Sequence, residues 1–179
     1  MPGRPPRWPS RPHPLAALVL GLGLFACREE DPTTFRDVVV DYSDRPLGEL
    51  VAGVEVTQVF IANHDNLTAV ALMMSNNGGR ARDCEVVFRL RVKNSSTDLA
   101  ERKIDCSAIP DQDWVRFDFP PLVVSRRWRF VISVQSPNAR AGQAPLLLMA
   151  SVSGIYPDGK LRLDDRVVPG ALRFMTFHR

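Results

Sequence analysis

From Cys84 to Lys93 apolar and charged side chains alternate almost without a break. Cys84, Val86, Phe88, Leu90 and Val92 share one phase, and Glu85, Arg89, Arg91 and Lys93 share the other. A period of two marks a strand with one face in a core. Asn94-Ser95-Ser96-Thr97 is turn chemistry and Leu99 to Cys106 returns, so the segment predicts a β-hairpin. A turn centred on Ser95 sets Cys84 opposite Cys106, Val86 opposite Ile104 and Leu90 opposite Ala100. It also places Arg89 against Glu101 on the wet face. Arg102 is the discordant position, facing inward in this register unless the strand is bulged.

Strand patterns recur along the rest of the chain. Phe35 to Tyr42 contains Val38-Val39-Val40, and Val54 to Ile61 is rich in β-branched residues. Leu67 to Ser75 is nearly all apolar, which predicts a strand covered on both faces. Trp114 to Phe119 alternates and is expected to end at Pro120-Pro121, and Trp128 to Gln135 alternates again. Pro145 to Val152 and Ala171 to Phe177 complete the set. Turn formers lie between them: Asn76-Asn77-Gly78-Gly79, Pro137-Asn138 and Pro157-Asp158-Gly159. From Arg28 onward no stretch carries a capped 3.6-residue apolar stripe. Eight or nine short strands at this spacing predict an all-β, two-sheet β-sandwich.

The amino-terminal region follows a different pattern. Arg4, Arg7 and Arg11 precede an apolar run from Leu15 to Phe25, long enough for an export-signal core and too short to span a bilayer as a helix. The run closes on Leu24-Phe25-Ala26-Cys27, which resembles the lipobox of bacterial lipoproteins. That resemblance implies a signal peptide over 1–26, acylation of Cys27 and a membrane anchor. Two or more acyl chains hold a protein durably, at about 0.8 kcal/mol per buried methylene. Residues 27–34 then form a short tether and 35–179 a single β-sandwich domain. By the same resemblance, Arg28 after the cysteine, where an aspartate would favour inner-membrane retention, points to the outer membrane.

Charge changes its meaning once the leader is set apart. The chain holds 23 Lys+Arg against 20 Asp+Glu, a formal +3. Arg4, Arg7 and Arg11 account for that excess and no acid precedes Cys27, so the remainder is formally neutral. Nucleic-acid binding, which needs a concentrated basic surplus, is not expected. Lipidation of Cys27 leaves Cys84 and Cys106 as an even pair in an oxidising compartment, which predicts a disulfide. Such a bond closes a loop of about 22 residues and stabilises the fold by roughly 3 kcal/mol.

Five short stretches carry a second resemblance. Gln58-Val59-Phe60, His64-Asp65-Asn66-Leu67, Phe88-Arg89-Leu90, Asp113-Trp114-Val115-Arg116-Phe117 and Tyr156-Pro157-Asp158-Gly159 resemble a jelly-roll module of bacterial envelope proteins. That module is similar in layout to galactose-binding-like and carbohydrate-binding-module domains, and the similarity spans residues 47–177. It implies a jelly-roll order of strands and transfers no ligand residue.

Catalytic chemistry is not evident. His64 sits in a loop beside Asp65, and His178 is penultimate and expected to fray. No HExxH, CxxC or GxSxG pattern occurs, and Asp111/Asp113 and Asp164/Asp165 read as polar turns. The chain is therefore not expected to be an enzyme and no cofactor is expected. Structural calcium is the one metal considered, with Asp41, Asp44, Asp65, Asp111 and Asp113 as loop-side oxygen donors. For a ligand, Tyr156 is the first loop aromatic and Tyr42 the second. Trp114 shares the phase of Arg116 and Asp118, which turns it to water, whereas the jelly-roll resemblance implies that it plugs one end of the sandwich; Trp128 is assigned to the core. Arg126 and Arg127 head the densest basic cluster, suited to anionic headgroups or acidic polysaccharide. The expected role is a non-catalytic, membrane-anchored binding or assembly module of the envelope. Its partners would be the membrane and an envelope protein or, alternatively, a glycan.

Overall fold

The computed structural model describes residues 33–179. The expected signal over 1–26, Cys27 and most of the tether lie outside them. The first six strands are β1 (Phe35–Val40), β2 (Arg45–Glu49), β3 (Glu55–Ile61), β4 (Leu67–Ser75), β5 (Glu85–Val92) and β6 (Asp98–Asp105). After one short 3-10 turn at Cys106–Ala108 come β7 (Asp113–Leu122), β8 (Arg129–Gln135), β9 (Leu146–Ala150), β10 (Leu161–Leu163), β11 (Arg166–Val168), β12 (Ala171–Leu172) and β13 (Phe174–His178).

These strands form two antiparallel sheets. Sheet A has seven strands: β7, β4, β13 and β1 lie side by side, and β9 extends β4 and carries β2 and β12. Sheet B has six, in the order β11-β10-β3-β8-β5-β6. Setting aside β2, β9 and β12 in one sheet and β10 and β11 in the other leaves the orders β1-β13-β4-β7 and β3-β8-β5-β6. Successive strands then cross between sheets at every step except the β5–β6 hairpin, which is jelly-roll connectivity.

The hairpin register agrees with expectation. Val86 faces Ile104, Arg89 faces Glu101 and Leu90 faces Ala100. The ladder continues to Cys106, whose N–H donates to the Cys84 carbonyl at 2.9 Å, and the two cysteines are disulfide-bonded. The bulge lies between Leu90 and Arg91, so it does not turn Arg102. Arg102 is exposed because β6 is the edge of its sheet. From there its Nε–H donates to the Asp118 carbonyl of β7 at 2.6 Å, joining the two sheets.

The core lies between the sheets. Phe60, Phe88, Phe130 and Phe174 are fully buried, and Phe88 stacks on Phe117 across the interface at 4.4 Å. Gln58 shares the inward phase of Val56 and Phe60. Its buried amide is satisfied because Oε1 accepts from Leu172 N–H at 3.0 Å and Nε2 donates to the Val59 carbonyl. Every residue of β4 is buried, as its composition predicted.

Sequence and structure part in several places. β2 carries no strand pattern in the sequence because Pro46 and Gly48 interrupt it, a composition tolerated on an edge strand with a bulge. β7 runs through Pro120-Pro121 to Leu122. It pairs only with β4, and the prolines fall in its bulge, where no ladder N–H is missed. β10 and β11 are too short for periodicity to reveal. Their connection at Asp164-Asp165 is the polar hairpin tip expected.

Candidate functional site

Alternation in sheet B turns Thr57 and Val59 of β3, Arg129 and Val131 of β8 and Arg91 of β5 to its outer face. The β5–β6 turn, Lys93 to Ser96, rises along one side, and Pro157 to Lys160 with Arg162 rises along the other. Together they enclose a groove of about 800 Å³. Lys93 N–H donates to the Arg129 carbonyl at 2.8 Å, and Val59 N–H to the Lys160 carbonyl at 3.0 Å, so both walls are tied to the floor. Gly159 makes the second wall close: a Cβ there would lie 2.2 Å from the Val59 carbonyl oxygen.

Among the described residues the groove is lined by Arg91, Lys93, Arg129, Lys160 and Arg162 against a single acid, Asp158. Among the described residues none of the five cations makes an ion pair. Farther along the same face the pattern reverses. Arg89 pairs with Glu101 at 2.8 Å, Lys103 pairs with Glu85 at 3.2 Å, and Glu55 accepts a hydrogen bond from Ser133. Sheet B therefore carries compensated charge at one end and uncompensated positive charge at the other. The outward series Arg89, Arg91, Lys93 was visible in the alternation. The wall from Pro157 to Arg162 was not, because chain order does not tell which loop stands opposite.

The residues singled out from sequence fall elsewhere. Tyr156 props the groove wall from beneath. Its ring meets core Phe174 edge-to-face at 5.5 Å, and its hydroxyl accepts from Ile61 N–H at 3.0 Å. Burial holds its phenol above the ordinary tyrosine range. Tyr42 is exposed in the β1–β2 loop. Trp114 is half-buried on the outer face of sheet A, against Ala69, Ala71, Met175 and Phe177, with the Arg173 guanidinium 5.3 Å from its ring centre. It neither plugs an end nor stands free in water. Trp128 is 46 % exposed, which corrects its assignment to the core. It has the phase of Phe130 but precedes the first residue of β8, after Arg127 has turned the chain at φ 66°.

Arg126 and Arg127 lie exposed in the β7–β8 loop, at the end of the sandwich where β8 begins. Asp65 braces that loop: its Oδ1 accepts from both Ser125 N–H and Arg126 N–H, each at 2.9 Å. These two bonds hold the Asp65 carboxyl below the ordinary range.

His178 is not frayed. It is the last residue of β13, paired with Phe35 on one side and Leu67 on the other, and it is 0 % exposed. Its Nδ1–H donates to the Asp65 carbonyl at 2.9 Å, and Nε2 lies 3.2 Å from Asp37 Oδ2. Both ring nitrogens thus face oxygen atoms of neighbouring residues. His64 stays in its loop, as expected, 3.8 Å from Asp37.

The carboxylates considered for calcium are dispersed and put to other uses. Asp44 accepts from the Ser151 hydroxyl, which lowers its pKa, and Asp111 accepts from the Ser75 hydroxyl. Asp113 accepts from Trp114 N–H. Among the described residues no three His, Cys, Asp or Glu side chains gather as a metal site. No protein-family model matches this chain, and comparison with curated proteins finds no match.

Proposed function

We propose that this protein is a non-catalytic binding module, held at an envelope membrane by lipid on Cys27, whose sheet B groove receives an acidic glycan. The observation that carries the reading is the set of five cations that, among the described residues, make no ion pair and share the groove with the single acid Asp158. Like charges at one surface repel one another, so an arrangement left unpaired in the folded protein is relieved when an anion enters. A concave wall also focuses the field and raises the local concentration of anionic ligand. Among the described residues no aromatic ring lines the groove, so charge and hydrogen bonding carry recognition in place of stacking on a sugar face. Carboxylate or sulfate groups repeated along a glycan would meet several cations at once. Each charge-assisted hydrogen bond contributes about 1.5–3 kcal/mol before ordering costs are subtracted.

Support for the address comes from the leader, the lipobox-like cysteine and the Cys84–Cys106 bond, which suits an oxidising compartment. The groove favours the glycan over a protein partner because protein interface cores are depleted of charge, with the opposite composition. The non-catalytic part rests on how the candidate groups are used: Asp44, Asp65 and Asp111 hold loops, and His178 lies sealed between β1 and β4.

Affinity electrophoresis of the full chain through polyuronate, sulfated and neutral polysaccharides tests the ligand. Acidic polymers are expected to retard it, with retardation lost in Arg91→Glu/Arg129→Glu and weakened by salt. Equal retardation by neutral polymers, or none by any acidic polymer, would overturn the reading. Palmitate incorporation that disappears in Cys27→Ser tests the anchor separately.

A further inference from the structure

We infer that the β7–β8 loop is a membrane-docking tip that inserts Val123, Val124 and Trp128 into the interfacial layer of an anionic bilayer, with Arg126 and Arg127 at the headgroups. The inference rests on the reading of Cys27 as an anchored residue.

Val123, Val124 and Trp128 are 68 %, 65 % and 46 % exposed within six positions of one loop. Single exposed apolar residues are ordinary, but a cluster on one projection rimmed by charge marks a contact surface. The backbone beneath it is firmly held. Besides the two bonds to Asp65, the buried Ser125 hydroxyl donates to the His64 carbonyl and accepts from Leu67 N–H. Arg127 N–H donates to the Ala62 carbonyl at 2.6 Å, and Ala62 N–H to the Trp128 carbonyl at 3.2 Å. An exposed apolar tip on so braced a loop is presented to something outside the fold.

The occupant follows from where the chain enters. Phe35 opens β1 opposite His178, whose Nδ1–H bonds to Asp65, the residue that braces the tip. The amino-terminal strand therefore begins beside this loop. Thr33 follows Cys27 by six positions, and a fully extended chain of that length reaches about 20 Å. A lipid-bearing Cys27 thus keeps this end of the sandwich next to the bilayer. The tip presents Arg126 and Arg127 to that surface, and the acids beside it are engaged: Asp65 by two backbone N–H groups, and Asp37 by His178, His64 and Asn63. Apolar side chains flanked by arginines suit anionic headgroups over an acyl boundary.

Tryptophan fluorescence of the full chain reconstituted in vesicles tests this. Trp8→Phe/Trp114→Phe leaves Trp128 as the sole reporter, and Trp8→Phe/Trp128→Phe leaves Trp114. In phosphatidylglycerol-containing vesicles Trp128 emission is expected to shift to the blue and fall at least twofold with bromine-labelled acyl chains, while Trp114 changes little. Arg126→Glu/Arg127→Glu should reduce the quenching. Circular dichroism melts confirm that each variant is folded. A Trp128 that remains open to aqueous acrylamide and untouched by the bromolipid would overturn the tip. So would a Trp128 shielded only when acidic polysaccharide is added, since that makes a glycan the occupant. Vesicle flotation and palmitate labelling report the anchor independently, so an anchored chain with a dry tip fails this inference alone, and an unlabelled chain fails the anchor.

Discussion

On the outer face of sheet A, Arg116 lies 4.1 Å over the Phe177 ring and 2.8 Å from Asp118, and Arg173 lies over Trp114. On the outer face of sheet B, Arg91 and Arg129 flank Val59 and Val131 around an open groove with no ion-pair partner among the described residues. The same side chain plays opposite parts. On sheet A its planar head covers aromatic surface and helps to seal Ala69 and Ala71 beneath Met175 and Phe177. On sheet B it holds charge in reserve. Partners, and not the number of arginines, set a face that is sealed apart from one that leaves its charge open. A sequence whose charges balance from Cys27 onward can still concentrate positive charge on one part of its surface.

The largest effect is expected from removing the bond that closes the open end of the β5–β6 hairpin, whose turn walls the groove at its other end. Cys84→Ser/Cys106→Ser is expected to lower stability by about 3 kcal/mol, read as a reduced urea midpoint, and to loosen the β5–β6 hairpin. An unchanged midpoint would show that the hairpin needs no staple. Next comes Arg91→Glu/Arg129→Glu, which should weaken binding of a polyuronate about 100-fold with little change in melting temperature, the loss of two charge-assisted contacts. On the other face, Arg173→Ala should do the reverse, costing about 0.5–1 kcal/mol of stability through the half-buried Trp114 contact while polyuronate binding stays intact. If Arg173→Ala abolished binding, the division of labour between the faces would fail.

The smallest effect concerns pH at the tip. The Asp65 carboxyl is held below its unfolded value, near 3.9, by the Arg126 and Ser125 N–H groups. Its contribution to stability is therefore fully present above about pH 4 and lost as pH falls through the folded value. Urea midpoints of the protein and of Asp65→Asn, compared from pH 7 to pH 2, should differ at neutral pH and converge in acid. A gap that persists at pH 2 would mean that the charge of Asp65 contributes nothing.

Legibility in the sequence followed the range of the interaction. The β5–β6 hairpin could be read to the residue, because alternation and one turn fix its register and hence the Cys84–Cys106 pair. β2 was hidden because Pro46 and Gly48 argue against a strand everywhere but at an edge. His178 illustrates the opposite error: chain position suggests fraying, yet β13 lies between β1 and β4 and carries its last residues into the sheet. Trp128 shares the phase of buried Phe130, and only a left-handed residue before it places the ring outside.

The all-β sandwich, most of its strands and its disulfide were legible along the chain. These follow from period-two alternation and turn chemistry, which act between residues close along the chain. Folding alone brings Lys160 and Arg162 to face Arg91, Arg129 and Lys93 across one groove, and sets Asp65 against a loop about sixty positions away. Such contacts depend on which loops the sheet order brings to the same end, and that order is set by packing of the whole core.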